Sequence, residues 1–585
     1  MKNRMVLMLT LAAIVFVGCV NEKEDKSPVD GGVADVAYIS LQVKTEKNEA
    51  RSSGENAGMN ESDLKTLYLI TFDETEKVVG IPKTTEYYTK IENAASKPDA
   101  IKISAASEKL LVIANPGDKL LDVIENINDR TTFSTINAAV KEVTMAEITD
   151  KVDAIAKGFT MINSGNESGK QAGDKITDPL ISLVGKIQVV SKDLKEENAI
   201  EEAEKEGNRV DVKIERLASK VELKLKGDNN DNVVVEPTGA TFTFKNWTLD
   251  VVNSTFYPFA EKTLLTVIHS SGGSYVSNFY TKDPNFTDAT GIVNASVNQT
   301  TYEPELVAPY SWMAAANGIY CIENTMNDNA QIFENATRVV IKGIYYPENH
   351  VGTGDWFSFA GKTYANFDDL KAAYNASDAG PNLKAACEAM YSSIRSYADK
   401  HSDVNLSGTS FKTLETSDLA QVKNGGEVLK NGKTPVIQWY QEGLCYYYYE
   451  IRHDNDTDEH MAFGKYGVVR NNWYKLTLGL VKGPGTPWFP DIDNPGPGDP
   501  DPDDPIDTST GYLGITVEVV DYLGKRDRYL VIEKLDYKIS TYEHGKVISG
   551  LEPKDRKRAG VLVSVVMRRD EGRYGQLWRV LGIYL

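Results

Sequence analysis

The densest concentration of potential chemistry in this 585-residue chain is the stretch HDNDTDEH, His453 to His460. Asp454, Asp456 and Asp458 stand at the alternate spacing with which a calcium loop begins. Such a loop then requires glycine at its sixth position, to turn sharply, and glutamate at its twelfth, to clamp the ion with two oxygens. Those positions hold Glu459 and Lys465, so the stretch reads as a polar hairpin tip and no metal is assigned to it. The other histidines, His269, His350, His401 and His544, are scattered. Cys321, Cys387 and Cys445 are widely spaced and form no Cys-x-x-Cys pair. Cys387 recurs with Leu383, Met390, Ile394 and Tyr397 at helical spacing, the mark of a core residue. Tyr446 to Tyr449 could stack on a glycan, but consecutive strand residues point to opposite faces, so at most two share a side and packing is the better reading. The chain has no Gly-x-Ser-x-Gly, His-Glu-x-x-His or phosphate-loop motif, and no pair of groups suited to acid–base or nucleophilic work. It is expected not to be an enzyme and to use no cofactor.

Two residues near the N-terminus carry a different kind of chemistry, that of processing. Lys2 and Arg4 precede an apolar run, Met5 to Val17, that is too short for a comfortable membrane span and ends at Gly18-Cys19. This is a bacterial lipoprotein signal: removal of residues 1–18 leaves the Cys19 thiol to carry diacylglycerol, and 19–36 becomes a lipidated tether at the outer membrane. Arg51 lies in the polar stretch KTEKNEARSSGENAGMNES, where an Arg-specific protease could cut between Arg51 and Ser52.

The elements that flank these residues are mostly strands. Ala37, Ile39, Leu41 and Val43 form one apolar face of an early strand. Further strand patterns lie at Leu64 to Phe72, Ala100 to Ser104, Lys109 to Ala114, Val210 to Leu225, Thr241 to Leu249, Thr337 to Ile344, Val436 to Tyr440, Cys445 to Arg452 and Val468 to Leu480. Helical patterns fall at Lys119 to Ile127, Thr135 to Ile148, Phe367 to Tyr374 and Leu383 to His401. The fold class is therefore mainly β, as sandwiches with decorating helices. Domains are expected at 37–208 and 209–484, parted after the charged stretch DLKEENAIEEAEKEGN. A formal charge of −20 argues against nucleic acid or anionic lipid as a partner.

A Pro/Gly/Asp tract, 485–510, follows the second domain and reads as a leash too poor in apolar residues to pack. The 28 residues from Gly483 to Thr510 would reach up to about 85 Å if extended. The leash delivers one more alternating strand within 511–522, with Leu513, Ile515, Val517 and Val519 on its apolar face. A core strand on so long a connection is expected to belong outside its own domain. Residues 523–585 then carry a net charge of +6, and are either a small module or the product of a shifted reading frame.

Several of these stretches together resemble the fimbrillin lipoproteins, the major subunits of Bacteroidales minor-type fimbriae. They are the signal ending at Cys19, the Arg51 site after an early strand, LLVIANPGD at Leu110 to Asp118, and IERLASKVEL at Ile214 to Leu223. VVRNNWYKLTL at Val468 to Leu478, the Pro/Asp tract and GITVEVV at Gly514 to Val520 complete the likeness. The resemblance implies two tandem transthyretin-like β-sandwich domains and a cell-surface fimbria built by strand exchange. An Arg-specific protease would free the groove held by Ala37 to Val43, and Leu513 to Val519 of another copy would fill it. Partners would be further copies and accessory fimbrial subunits. The alternatives are an anchor or tip subunit of the same assembly, and a monomeric surface lipoprotein that binds glycan or protein.

Overall fold

The computed structural model describes residues 35–44, 63–140, 143–144, 158–165, 169–227, 233–269, 275–288, 291–298, 303–307, 309–350, 352, 354–430, 436–454, 461–506, 513–521, 541–543 and 546–548. Lys109–Ala114 is an almost unbroken apolar run because it lies inside a sheet and is buried on both faces. Around it the order is Leu41–Lys44, Val210–Arg216, Met161–Asn163, Lys109–Ala114, Thr66–Phe72, Thr89–Glu92, with Ile181–Ser182 also paired to Lys109–Ala114. A second sheet, Gln188–Val189, Val36–Ile39, Ile101–Ser104, supplies Ala37, Ile39, Ile101 and Ile103 to the same core. The two sheets make the first β-sandwich.

The second sandwich joins a five-stranded sheet to a three-stranded one. The larger contains Val234–Glu236, Asn472–Lys482, Ala218–Leu225 and Gly318–Ile322, with Leu513–Asp521 paired to Asn472–Lys482. The smaller is Thr241–Asp250, Arg338–Tyr346, Leu444–Glu450. Trp247, Ile341, Tyr447 and Leu476 meet in the core between them. An insert carried between Arg338–Tyr346 and Leu444–Glu450 has its own core, where Cys387, Met390, Ile394 and Tyr397 of the helix Pro381–Lys400 pack on Phe357 and Trp439. The chain is mainly β with helices added, as its sequence pattern implies.

Two element boundaries differ from expectation. Val210 to Leu225 is not one strand: it breaks at buried Leu217, and Val210–Arg216 pairs in the first sandwich while Ala218–Leu225 pairs in the second. Pairing within the first sandwich thus continues to Arg216. At the break Leu217 N–H donates to Thr160 O at 3.1 Å, the last bond in register with the ladder to Met161–Asn163, while Arg216 N–H donates to Asn471 Oδ1 at 3.1 Å, on the segment that leads into the second sandwich. The helix expected at Thr135 to Ile148 is Phe133–Ala139, capped at its start by Thr132. The charged stretch before residue 208 forms the helix Glu196–Glu204, docked through Ala199 and Ala203.

The sandwiches are bonded to each other. Lys175–Ile176 of the first pairs with Lys262–His269, and Val143–Thr144 pairs with Thr255–Phe256. Lys262 Nζ donates to Glu215 Oε2 at 2.5 Å and to Ser164 O at 2.9 Å, with both side chains buried. Removing one member of a buried pair leaves the other charge desolvated, which costs about 3–5 kcal/mol. Lys262→Met should lose stability of that order in urea unfolding, and adding Glu215→Gln should recover much of it. Equal stability of Lys262→Met and the parent would show that the pair is not a structural bond.

Candidate functional site

Eight of the residues singled out by sequence fall into two segments at opposite ends of the chain. Cys19, Arg51 and Ser52 lie outside the described residues. Ala37, Ile39, Leu41 and Val43 are at most 2% exposed. Val36–Ile39 runs antiparallel between Ile101–Ser104 and Gln188–Val189, and after a break at Ser40, Leu41–Lys44 runs parallel to Val210–Arg216. One nine-residue segment therefore belongs to both sheets of the first sandwich. The break has its own fastenings: Arg209 Nη1 donates to Ser40 Oγ at 2.6 Å and to Leu41 O at 3.2 Å, and Val210 N–H donates to Ser40 O at 2.8 Å. Tyr38, on the other face, packs on Ala199 and Ala203 and donates its hydroxyl to Glu196.

The expectation that the late strand lies outside its own domain is not met. Leu513–Asp521 pairs antiparallel with Asn472–Lys482 of its own chain, from Asn472↔Asp521 to Val481↔Leu513. Leu513, Ile515, Val517 and Val519 are at most 5% exposed and share the second core with Tyr474, Leu476 and Leu478. It is an edge strand: among the described residues it pairs with no strand on its other side. Departure would thus break a single ladder.

The leash is also unlike the expected one, because its first part packs. Trp488, Phe489, Ile492 and Ile506 are buried. Thr486 exchanges two main-chain bonds with Tyr446 at 2.8 and 2.9 Å, Lys430 Nζ donates to Phe489 O at 2.9 Å, and Arg338 donates to Pro490 O. Approach is so close that a Cβ at Gly485 would stand 1.9 Å from Tyr446 O, and one at Gly426 would stand 1.8 Å from Pro487 O. The sequence signal was the apolar pair Trp488-Phe489 between prolines. With this strap seated, only residues 507–512 link Ile506 to Leu513, about 24 Å at full stretch. The strap also covers Tyr446, while Tyr447 and Tyr449 enter the core, so the tyrosine run presents no platform.

The RNN turn of VVRNNWYKLTL is the other centre of polar order. Arg470 pairs with Glu323, both fully buried, and donates to Pro258 O at 2.6 Å and Tyr257 O at 2.5 Å. Asn471, at φ 61°, accepts from Arg216 N–H and so ties the turn to the domain junction. Asn324 Nδ2 donates to Val251 O, Asn335 O and Thr337 Oγ1. Asp283 accepts from Asn253 Nδ2 at 2.9 Å and Thr325 N–H at 2.6 Å; burial, then the charge of Glu323, raises its carboxyl well above the usual range. Sequence reading named none of Glu323, Asn324 and Asp283, since their partners lie up to 147 positions away. These groups are enclosed and serve the fold. Burial also pushes the Cys321, Cys387 and Cys445 thiols up to about 12. Among the described residues no group of three His, Cys, Asp or Glu side chains is placed to hold a metal ion. The calcium-like stretch is described only at His453 and Asp454, both buried.

Residues 37–216 match the family model of the major fimbrial subunit protein (FimA), and residues 438–527 match that of the major fimbrial subunit protein type IV, fimbrillin, C-terminal. The likeness to fimbrillins read from the sequence is thus borne out over both segments. No curated protein sequence matches the chain. Among solved structures it is similar to a fimbrillin from Porphyromonas gingivalis, with 12% identity over 85% of this chain and 98% of that one, at a TM-score of 0.33. The tip fimbrial protein Mfa3 from the same organism is 10% identical over 76% of this chain and 94% of its own, at 0.28. A fimbrial assembly protein from Parabacteroides distasonis is 11% identical over 54% and 88%, at 0.24.

His453 provides a test of this enclosed region. Its Nδ1 lies 2.8 Å from Tyr474 Oη and its Nε2 3.2 Å from Phe279 O, and burial lowers its pKa from 6.5 to about 4. The unfolded chain binds this proton below about pH 6.5 while the folded chain does so only near pH 4, so stability falls as pH drops through that window. The loss should approach about 3 kcal/mol at the lower end. His453→Gln should flatten this part of the urea-unfolding pH profile; an unchanged slope would show that His453 is not buried neutral.

Proposed function

We propose that this chain is a structural subunit of a surface fimbria, exported as a precursor lipidated at Cys19 and joined to further copies by strand replacement after cleavage between Arg51 and Ser52. The observation that carries this reading is where the two family matches lie. One begins at residue 37, in the N-terminal segment, and the other, ending at 527, spans the late strand and its partner Asn472–Lys482. Each match encloses one of the two strands that the mechanism moves.

The energetics favour exchange in one direction. Loss of residues 36–44 would open three ladders, to Ile101–Ser104, Gln188–Val189 and Val210–Arg216, and a core lined on both sheets. Departure of Leu513–Asp521 opens one. The apolar side chains are buried in either seat, at roughly 1.5–3 kcal/mol for each residue of Val, Leu or Ile size, so their burial nearly cancels. The difference in ladders and in the core that is closed then drives transfer to a neighbour. Before cleavage the groove is occupied and transfer has no driving force.

Partners in this reading are further copies, accessory subunits, the protease and, for the precursor, the outer membrane; adhesion is the role of the assembled fibre. Because Ile515 is buried in its own chain, an Asp there would damage the precursor as well as block donation. Arg51→Ala acts on processing alone. It should leave lipid-anchored precursor and abolish the heat-resistant ladder on gels and fibres by electron microscopy. Normal fibres from Arg51→Ala would exclude this arginine as the switch.

A further inference from the structure

The two moving segments share more than an apolar alternation. Residues 37–43 read Ala-Tyr-Ile-Ser-Leu-Gln-Val, and residues 511–517 read Gly-Tyr-Leu-Gly-Ile-Thr-Val. Place by place this is small, tyrosine, aliphatic, small, aliphatic, polar, valine. We propose that residues 511–517 of a second copy take the places of residues 37–43 one for one, so that Tyr512 enters the seat of Tyr38 under the helix Glu196–Glu204. The inference rests on the strand-replacement reading and adds to it the register and the residue that sets it.

The seat is a built feature of the first sandwich. Tyr38 is 7% exposed, packed on Ala199 and Ala203 with Ala100 and Val190 at its edges, and Glu196 accepts its hydroxyl hydrogen. The charged helix Glu196–Glu204 is thus the cover of a tyrosine pocket. On the opposite face Ala37 is fully buried, paired with Ile103 on one side and Val189 on the other. The simplest other register puts Leu513 at the place of Ala37, and it fails at both positions. Three extra carbons would enter the place of a fully buried alanine, and Gly514 would leave the tyrosine pocket empty. The one-for-one register instead places Gly511 and Tyr512 there. It loses the Ser40 hydroxyl to Gly514, but Arg209 keeps its second acceptor, the main-chain carbonyl at the place of Leu41.

Register can be read by disulfide trapping on the polar face. Gln42 faces Asp211 across the parallel ladder, and Asp211 is exposed. In the proposed register Thr516 lies at the place of Gln42; in the other register Glu518 does. Full-length chains carrying Asp211→Cys with Thr516→Cys, or Asp211→Cys with Glu518→Cys, are processed and assembled, oxidised and run on non-reducing gels. The first pair should give disulfide-bonded multimers at about tenfold the yield of the second, since ladder partners lie within disulfide reach and residues two places away do not. Tyr512→Ala should lower the temperature at which the ladder dissociates, with Tyr512→Phe in between. Bonding through 518 in place of 516 overturns the register and leaves strand replacement standing. Assembled subunits that bond through neither pair overturn both.

Discussion

Everything distinctive about this protein depends on one short segment being shared by two sheets. Residues 36–44 are central in the smaller sheet of the first sandwich, then cross at Ser40 to become the edge of the larger one. Four inward side chains, three ladders and the Arg209 fastening make the segment costly to remove, while its chemistry is simple enough to be supplied by another strand. A strand confined to one sheet edge would leave a smaller opening. The proposed assembly uses this asymmetry: the late strand gives up an edge and receives a slot.

The rest of the second sandwich prepares the late strand for that role by limiting its freedom. Arg470, Glu323 and Asn471 lock the start of Asn472–Lys482 to the domain junction, so the ladder that holds Leu513–Asp521 has a fixed origin. The strap then pins the connecting chain down as far as Ile506 through Trp488, Phe489 and the main-chain bonds to Tyr446. A neighbour must present its slot within the short span left between Ile506 and Gly511. Subunit spacing along a fibre would follow from that span and not from a long tether.

How much of this is legible in the sequence depends on whether a feature is local. The alternation at Ala37 to Val43 and at Leu513 to Val519, the run Lys109–Ala114 and the helix around Cys387 all match, because a period of 2 or 3.6 is written in neighbouring residues. The break at Leu217 is only half legible: the apolar places are even at Val210, Val212 and Ile214 and odd at Leu217, Val221 and Leu223, a slip of one residue, but Asn471, which bonds to the break, is more than 250 positions away. The strap is illegible for a related reason: a tract rich in Pro and Asp has the composition of a linker, yet Trp488 and Phe489 are buried and main-chain bonds to Tyr446 hold it in place. The buried pair Arg470–Glu323 joins distant segments and leaves no spacing signature at all.

The central claim is that Leu513–Asp521 is held by its own chain in the precursor and by a neighbour in the fibre. Hydrogen exchange of the amides of Asn472–Lys482, compared between purified precursor and assembled fibre, tests it most directly. These amides bond to Leu513–Asp521 when that strand is at home. The account predicts that those facing the late strand exchange faster in the fibre, while the amides of Val210–Arg216 and Ile101–Ser104 stay protected in both states because a strand always fills the first groove. Equal protection of Asn472–Lys482 in precursor and fibre would contradict it.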